Sequence, residues 1–208
     1  MAEPLAPDDT RPHGPRADDP FEAFAEVMAE AESSGMEDPN AMILSTVGSA
    51  GQPSARAVLL KGFDRRGFVF YTNLESRKGL ELAGNPKVSL CFFWRQLHRQ
   101  VMILGTAEPV TDEEADAYFA SRPRTSQLGA WASQQSRPMP SRAHLVAEVA
   151  KLEARYLGRA IPRPPHWSGY RVVPHAFEFW RAGLFRLHER HAYELEETGN
   201  WNRRRLYP

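Results

Sequence analysis

The sequence predicts a mainly β protein, an antiparallel β-barrel with flanking helices, and three features carry that expectation. Short apolar runs broken by turn residues recur from Ala41 to Val110, a helical stretch follows, and strand-like segments return near the C-terminus. No internal repeat organises them. At 208 residues the chain is long enough for one well-filled domain or a tight pair of small ones. Hydrophobic residues make up 42% and charged residues 25%, which suits a globular chain and excludes a fibrous or disordered one. The 26 Lys and Arg balance 26 Asp and Glu, so no overall field draws the protein to nucleic acid or an anionic membrane. Any anion site is therefore local.

Met1 to about Pro20 offers little to bury and reads as a flexible leader, with order starting at Phe21. Its first residues, MAEPLAPDD, lack the charged and apolar regions of a signal peptide. No run approaches the roughly 18 apolar residues of a membrane span, so a soluble, cytoplasmic protein is expected. Asp19 to Glu32 has Phe21, Phe24, Ala25 and Met28 at helical spacing. The strands then read AMILSTV (Ala41 to Val47), ARAVLLKGF (Ala55 to Phe63), FVFYT (Phe68 to Thr72), VSLCFFW (Val88 to Trp94) and QVMILGTAEPV (Gln100 to Val110). Between the third and fourth lies a short helix, SRKGLELAG, Ser76 to Gly84. The single cysteine, Cys91, excludes an intramolecular disulfide and reads as a small buried hydrophobe. No metal cluster is suggested.

A helical insert is expected over about 111–160. It opens at Thr111 with Glu114 at capping-box spacing, passes through a loop from Ser121 to Pro140, and resumes after Ser141. Leu145, Val149, Leu152 and Tyr156 recur there as a buried stripe would, until IPRPP ends the helix. GYRVVP, FEFW, FRLHERHAYELE and WNRRRLYP read as the closing strands.

Four segments carry chemistry. In SRKGLEL, Arg77 and Lys78 occupy a first helical turn, where cations are unfavourable unless an anion joins them. Taken alone they read as solvated charges; beside YTN and the basic RAVLLK strand they read as a phosphate site. Arg56 and Lys61 interrupt a strand apolar enough to be central, so an anion should meet them unless each snorkels from a strand end. An odd spacing puts them on opposite faces unless a bulge intervenes. Tyr118, Arg122, Arg124, Ser126, Gln135 and Ser136 lie in a polar segment that Trp131 marks as packed. Near the C-terminus, Arg186, His188 and Arg190 share one face if strand-like, and such a trio calls for an electron-rich or anionic ligand. His188 alone would read as a structural histidine. Arg203 to Arg205 read as mostly solvated.

Together, RAVLLK, YTN, SRK and FRLHER resemble the pyridoxamine 5′-phosphate oxidase family, in its order, from about Asp38 to Pro208. The resemblance implies an FMN-binding split barrel acting as a homodimer, with flavin sites built from both subunits. It implies that Arg56, Lys61, Tyr71, Thr72, Arg77, Lys78, Gln100, Gln135, Ser136, Trp180 and Arg190 line the FMN. The phosphate of the substrate would fall to Lys61, Tyr118, Arg122 and Ser126, while Arg186 and His188 would cover its ring and orient C4′. The implied reaction oxidises pyridoxine or pyridoxamine 5′-phosphate to pyridoxal 5′-phosphate, with dioxygen as acceptor. Glu189 stands where the family has Asp, Ser168 where it has Gly, and Phe93 where Pro is common. The leader also lacks the family's Arg- and Tyr-bearing segment. Rival readings are a phenazine-biosynthesis type flavin oxidase and a non-catalytic flavin or pyridoxal phosphate binding protein.

Overall fold

The computed structural model of the protein describes Pro15 and residues 17–208, so most of the expected flexible leader lies outside the described residues. The described part is held. Tyr193 Oη donates to Ala17 O at 2.8 Å, and Arg203 donates to Pro15 O at 2.8 Å and to Asp18 at 3.3 Å. Arg203, expected in solvent, is thus a clamp on the incoming chain. Asp19 then caps helix α1 (Pro20–Ser33), accepting from Phe21 N and Glu22 N, and Pro20 sits where a helix tolerates proline. The buried face of α1 plugs the barrel. Phe24, fully buried, meets Phe63 and Phe68 at 4.9 Å and Phe92 at 5.1 Å between ring centroids. Burying a side chain of this kind contributes about 1.5–3 kcal/mol.

The strands are β1 (Ala41–Val47), β2 (Pro53–Leu59), β3 (Gly62–Asp64), β4 (Gly67–Asn73), β5 (Lys87–Trp94), β6 (Arg99–Pro109), β7 (Trp167–Arg181), β8 (Glu189–Leu195) and β9 (Trp201–Leu206). All pair antiparallel, in the order β2-β1-β5-β6-β7-β4-β3. The long β7 explains the split. Its Phe68-facing half pairs with β4 along Trp167–Val172, while Ala176–Arg181 pairs on the same side with β8, which carries β9. Two strands sharing one edge of a third cannot close a continuous barrel. The expected mainly β, antiparallel split barrel is the fold observed.

Several details differ from expectation. ARAVLLKGF is not one central strand: β2 is the sheet edge, and the chain breaks at Leu60 and Lys61 before β3. Tertiary bonds make the break, since Leu60 N donates to Asn40 O and Lys61 N to Val69 O. GYRVVP and FEFW are one strand, β7. FRLHER is not strand-like before Glu189, because Phe185 and Arg186 adopt positive φ in a tight turn. Cys91 is half-buried.

The insert contains α3 (Asp112–Ser121), α4 (Arg124–Ala132) and α5 (Arg142–Arg155). Thr111 and Glu114 form the full capping box, and Ser141 accepts from His144 N at 3.1 Å. Helix α4 replaces part of the expected loop. The α5 stripe is only half-buried: Val149, Leu152 and Tyr156 pack beside Phe119, Leu128, Ile161 and Trp167. Among the described residues no helix is long and apolar enough to cross a membrane.

Candidate active site

Helix α2 (Arg77–Gly84) starts where β4 ends, and the turn between them is built by side chains. Ser76 Oγ donates to Asn73 O at 2.6 Å and accepts from Gly79 N at 3.3 Å. Asn73 accepts from Glu75 N at 2.8 Å and reaches Ser133 O at 3.2 Å, which ties this turn to the segment after α4. That segment brings Gln135 and Ser136 back over the helix start. Ser136, itself at φ 72°, accepts from Arg77 N at 3.2 Å.

A cleft of about 830 Å³ opens here between β2, β4, α2, α3 and α4. It is lined by Arg56, Lys61, Tyr71, Thr72, Arg77, Lys78, Tyr118, Arg122, Ser126, Gln135 and Ser136, all expected from sequence, together with Ser54 and Trp167. Arg56 and Lys61 were expected on opposite faces. They share the cleft because the chain leaves the strand between them.

Two groups of side chains form within it. Around the α2 start, Lys78 is buried and its Nζ meets Gln135 Oε1 at 3.0 Å and Thr72 Oγ1 at 3.2 Å, both uncharged. Burial first, and the nearby Arg56 second, push the Lys78 ammonium below its ordinary pKa. An arriving anion would relieve both effects. The second group is aromatic: Tyr71 stacks on Tyr118 at 4.0 Å and on Trp167 at 5.2 Å. Gly169 makes room for this stack, since a Cβ there would lie 2.7 Å from the Tyr71 ring. Arg122 lies 4.7 Å over Trp167, and its buried Nη1 has no hydrogen-bond partner. A buried guanidinium nitrogen without an acceptor is costly, so it too suits an anionic ligand.

The remaining expected residues lie elsewhere. Gln100, Trp180 and Arg190 are paired neighbours in one row across β6, β7 and β8. His188 sits 4.8 Å from Trp180, and its Nδ1 accepts from Gly183 N at 3.2 Å. Arg186 is exposed at the adjoining turn. The trio Arg186, His188 and Arg190 does not share a strand face, and Arg190 already has an anion. Glu178 binds it through both carboxylate oxygens, at 2.9 and 3.0 Å.

Sequence reasoning missed the carboxylate that joins the two cleft arginines. Glu81, one helical turn after Arg77, accepts from Arg77 Nε at 2.8 Å and from Arg56 Nη2 at 3.2 Å. Its spacing from Arg77 was the available signal. Trp167 was also missed, lying between IPRPP and GYRVVP.

Fold and site thus define a split-barrel protein with one cationic, aromatic-walled cleft fit for phosphate-bearing ring compounds. Comparison with known proteins identifies it further: the family model described as pyridoxamine 5′-phosphate oxidase matches residues 28–156, and that of the pyridoxine 5′-phosphate oxidase C-terminal dimerisation region matches 167–208. The chain belongs to the pyridoxamine 5′-phosphate oxidase family. A pyridoxine/pyridoxamine 5′-phosphate oxidase of Myxococcus xanthus strain DK1622 is 57% identical over 91% of this chain and 92% of its own length. Its counterpart in Azorhizobium caulinodans is 56% identical over 92% and 91%. The crystal structure of PhzG from Burkholderia lata 383, in complex with tetrahydrophenazine-1-carboxylic acid, superposes with a TM-score of 0.87 at 36% identity, covering 93% of this chain and 94% of that one. An FMN-binding protein from Nostoc punctiforme shares the fold, with a TM-score of 0.74 at 14% identity, covering 92% of this chain and 100% of that one.

Proposed function

We propose that this protein is an FMN-dependent oxidase that converts pyridoxine and pyridoxamine 5′-phosphates to pyridoxal 5′-phosphate, with residues 21–208 acting as one domain of a homodimer. The observation that carries the reading is one cleft with two separate cationic grips, Lys78 with its neighbours at the α2 start and Arg122 above the aromatic stack. A cofactor phosphate and a substrate phosphate require two such grips.

Arg56, Arg77, Lys78 and Ser136 would hold the flavin phosphate, with Tyr71, Thr72 and Gln135 along the same wall. Lys61, Tyr118, Arg122 and Ser126 would hold the phosphate of the vitamin. The chemistry FMN supplies when bound is two-electron oxidation at C4′, with dioxygen as final acceptor and hydrogen peroxide as product. From the amine, water then releases ammonia. The protein contributes orientation and charge.

Gln100, Trp180, Arg186, His188 and Arg190 do not line the chain's own cleft, so a second copy is the natural source of that part of the site. The matched dimerisation region contains four of them. An exposed apolar face supports the pairing: Ile43, Phe93 and Leu104 are 40%, 59% and 37% exposed on adjacent strands. In this arrangement Arg186 and His188 cover the substrate ring and set C4′, and Arg186 favours the neutral amine or a developing alkoxide.

The roles separate by mutation. Arg186→Ala should lower turnover by about a hundredfold or more while flavin content stays unchanged. Arg77→Ala should weaken FMN retention by about tenfold or more. Turnover assays on variants of measured flavin content check both, and the reverse pattern would overturn the assignment.

A further inference from the structure

Glu81 is an acid built into an anion site. Its side chain is 8% exposed, and its two oxygens collect four donors from three elements. Oε2 accepts from Thr46 Oγ1 at 2.5 Å, from Ser54 Oγ at 2.7 Å and from Arg56 Nη2 at 3.2 Å. Oε1 accepts from Arg77 Nε at 2.8 Å. Arg56 is fixed further by Leu44 O at 3.2 Å and by the hydroxyls of Thr46 and Ser54. Burial alone would raise the Glu81 pKa, but the bonds from Thr46, Ser54, Arg77 and Arg56 outweigh it and hold the carboxyl at about 2.

A carboxylate here is electrostatically costly, because it repels the phosphate that the same arginines are to bind. What it can return is order. A free arginine loses side-chain entropy when it is fixed, and a ligand that meets it already fixed avoids that cost. Arg77 most needs fixing, since its side chain is 61% exposed. It gives Glu81 only its Nε, so Glu81 takes neither of its terminal amino groups.

We propose that Glu81 is a positioning residue: it pre-sets Arg56 and Arg77 as a rigid pair and so gives the cleft its preference for a phosphorylated flavin over riboflavin. The inference rests on reading this end of the cleft as the flavin-phosphate grip. Repulsion and positioning predict opposite signs for the loss of the charge, so a single substitution separates them.

The test titrates flavin-free protein with FMN and with riboflavin, reading flavin fluorescence, for wild type and Glu81→Gln. Positioning predicts an FMN Kd raised about tenfold or more and a riboflavin Kd within about twofold of wild type. An FMN Kd unchanged or lowered in Glu81→Gln would overturn the proposal, and so would equal losses for both ligands, which mark a general structural role. A wild type that binds riboflavin as tightly as FMN would instead overturn the phosphate-grip reading, and the proposal with it. Thr46→Val, which removes one donor and keeps the carboxylate, repeats the test should Glu81→Gln fail to fold; it should weaken FMN alone, by less.

Discussion

Lys78 shows how one buried residue can be read in both directions. From sequence it was a misplaced cation at a helix start, and the structure gives the reason it is tolerated: a pocket of neutral oxygens from Thr72, Ser76 and Gln135. Its pKa is lowered in the free protein by burial and then by Arg56. A bound phosphate raises it again, so binding takes up a proton once the pH exceeds the free value. FMN affinity should therefore fall at alkaline pH in the wild type, and this slope should vanish in Lys78→Met, whose affinity is low throughout. Fluorescence titrations across the alkaline range measure it; a slope retained in Lys78→Met would contradict the assignment. Glu81, by contrast, was legible only as an i,i+4 partner for Arg77. In sequence it is one more polar position on a short helix, and only the fold brings Thr46, Ser54 and Arg56 to it.

At the scale of elements, legibility followed how local the cause was. Helix α2 was readable because Ser76 caps it in sequence, and α3 because Thr111 and Glu114 do the same. Helix α4 was not, since RTSQLGAWA has no apolar stripe and its start has no side-chain cap. The break at Leu60 and Lys61 is announced only by Gly62 after it; it follows from the bond of Leu60 to Asn40, twenty residues back, and from that of Lys61 to Val69 across the β3–β4 hairpin. Helix α3 offers a direct check on how elements serve the cleft, because it carries Tyr118 and ends at Arg122. Thr111→Ala removes its cap and should cost about 1 kcal/mol in a urea unfolding experiment. It should also raise KM for the phosphorylated substrate more than it lowers kcat. An unchanged unfolding midpoint would show that the capping box does not hold this helix.

For the whole molecule, the expected residues fall into two sets that one chain does not bring together. The strand pattern predicted the barrel, but it could not show that β6, β7 and β8 present Gln100, Trp180 and Arg190 away from the cleft. Nor could sequence alternation show that the Arg186 turn, with its positive φ, lies outside a strand. A homodimer whose sites combine the two sets makes a quantitative prediction. At an FMN level that fills wild-type sites but leaves those of Arg77→Ala empty, Arg77→Ala and Arg186→Ala chains are each nearly inactive and should regain activity when unfolded together and refolded as a mixture. Random pairing leaves one intact site in each mixed dimer, so about one quarter of wild-type activity should return. No recovery in mixed dimers would place both residues in a site made by one chain.

If the cleft joins FMN to a phosphorylated B6 vitamer for oxidation at C4′, anaerobic mixing will show the electrons reaching the flavin. Purified, flavin-loaded protein is mixed with pyridoxamine 5′-phosphate without oxygen while the visible flavin band is followed. The band should bleach, pyridoxal 5′-phosphate should form, and admitting air should restore the colour. A band that stays yellow in the presence of saturating substrate would contradict oxidation at C4′.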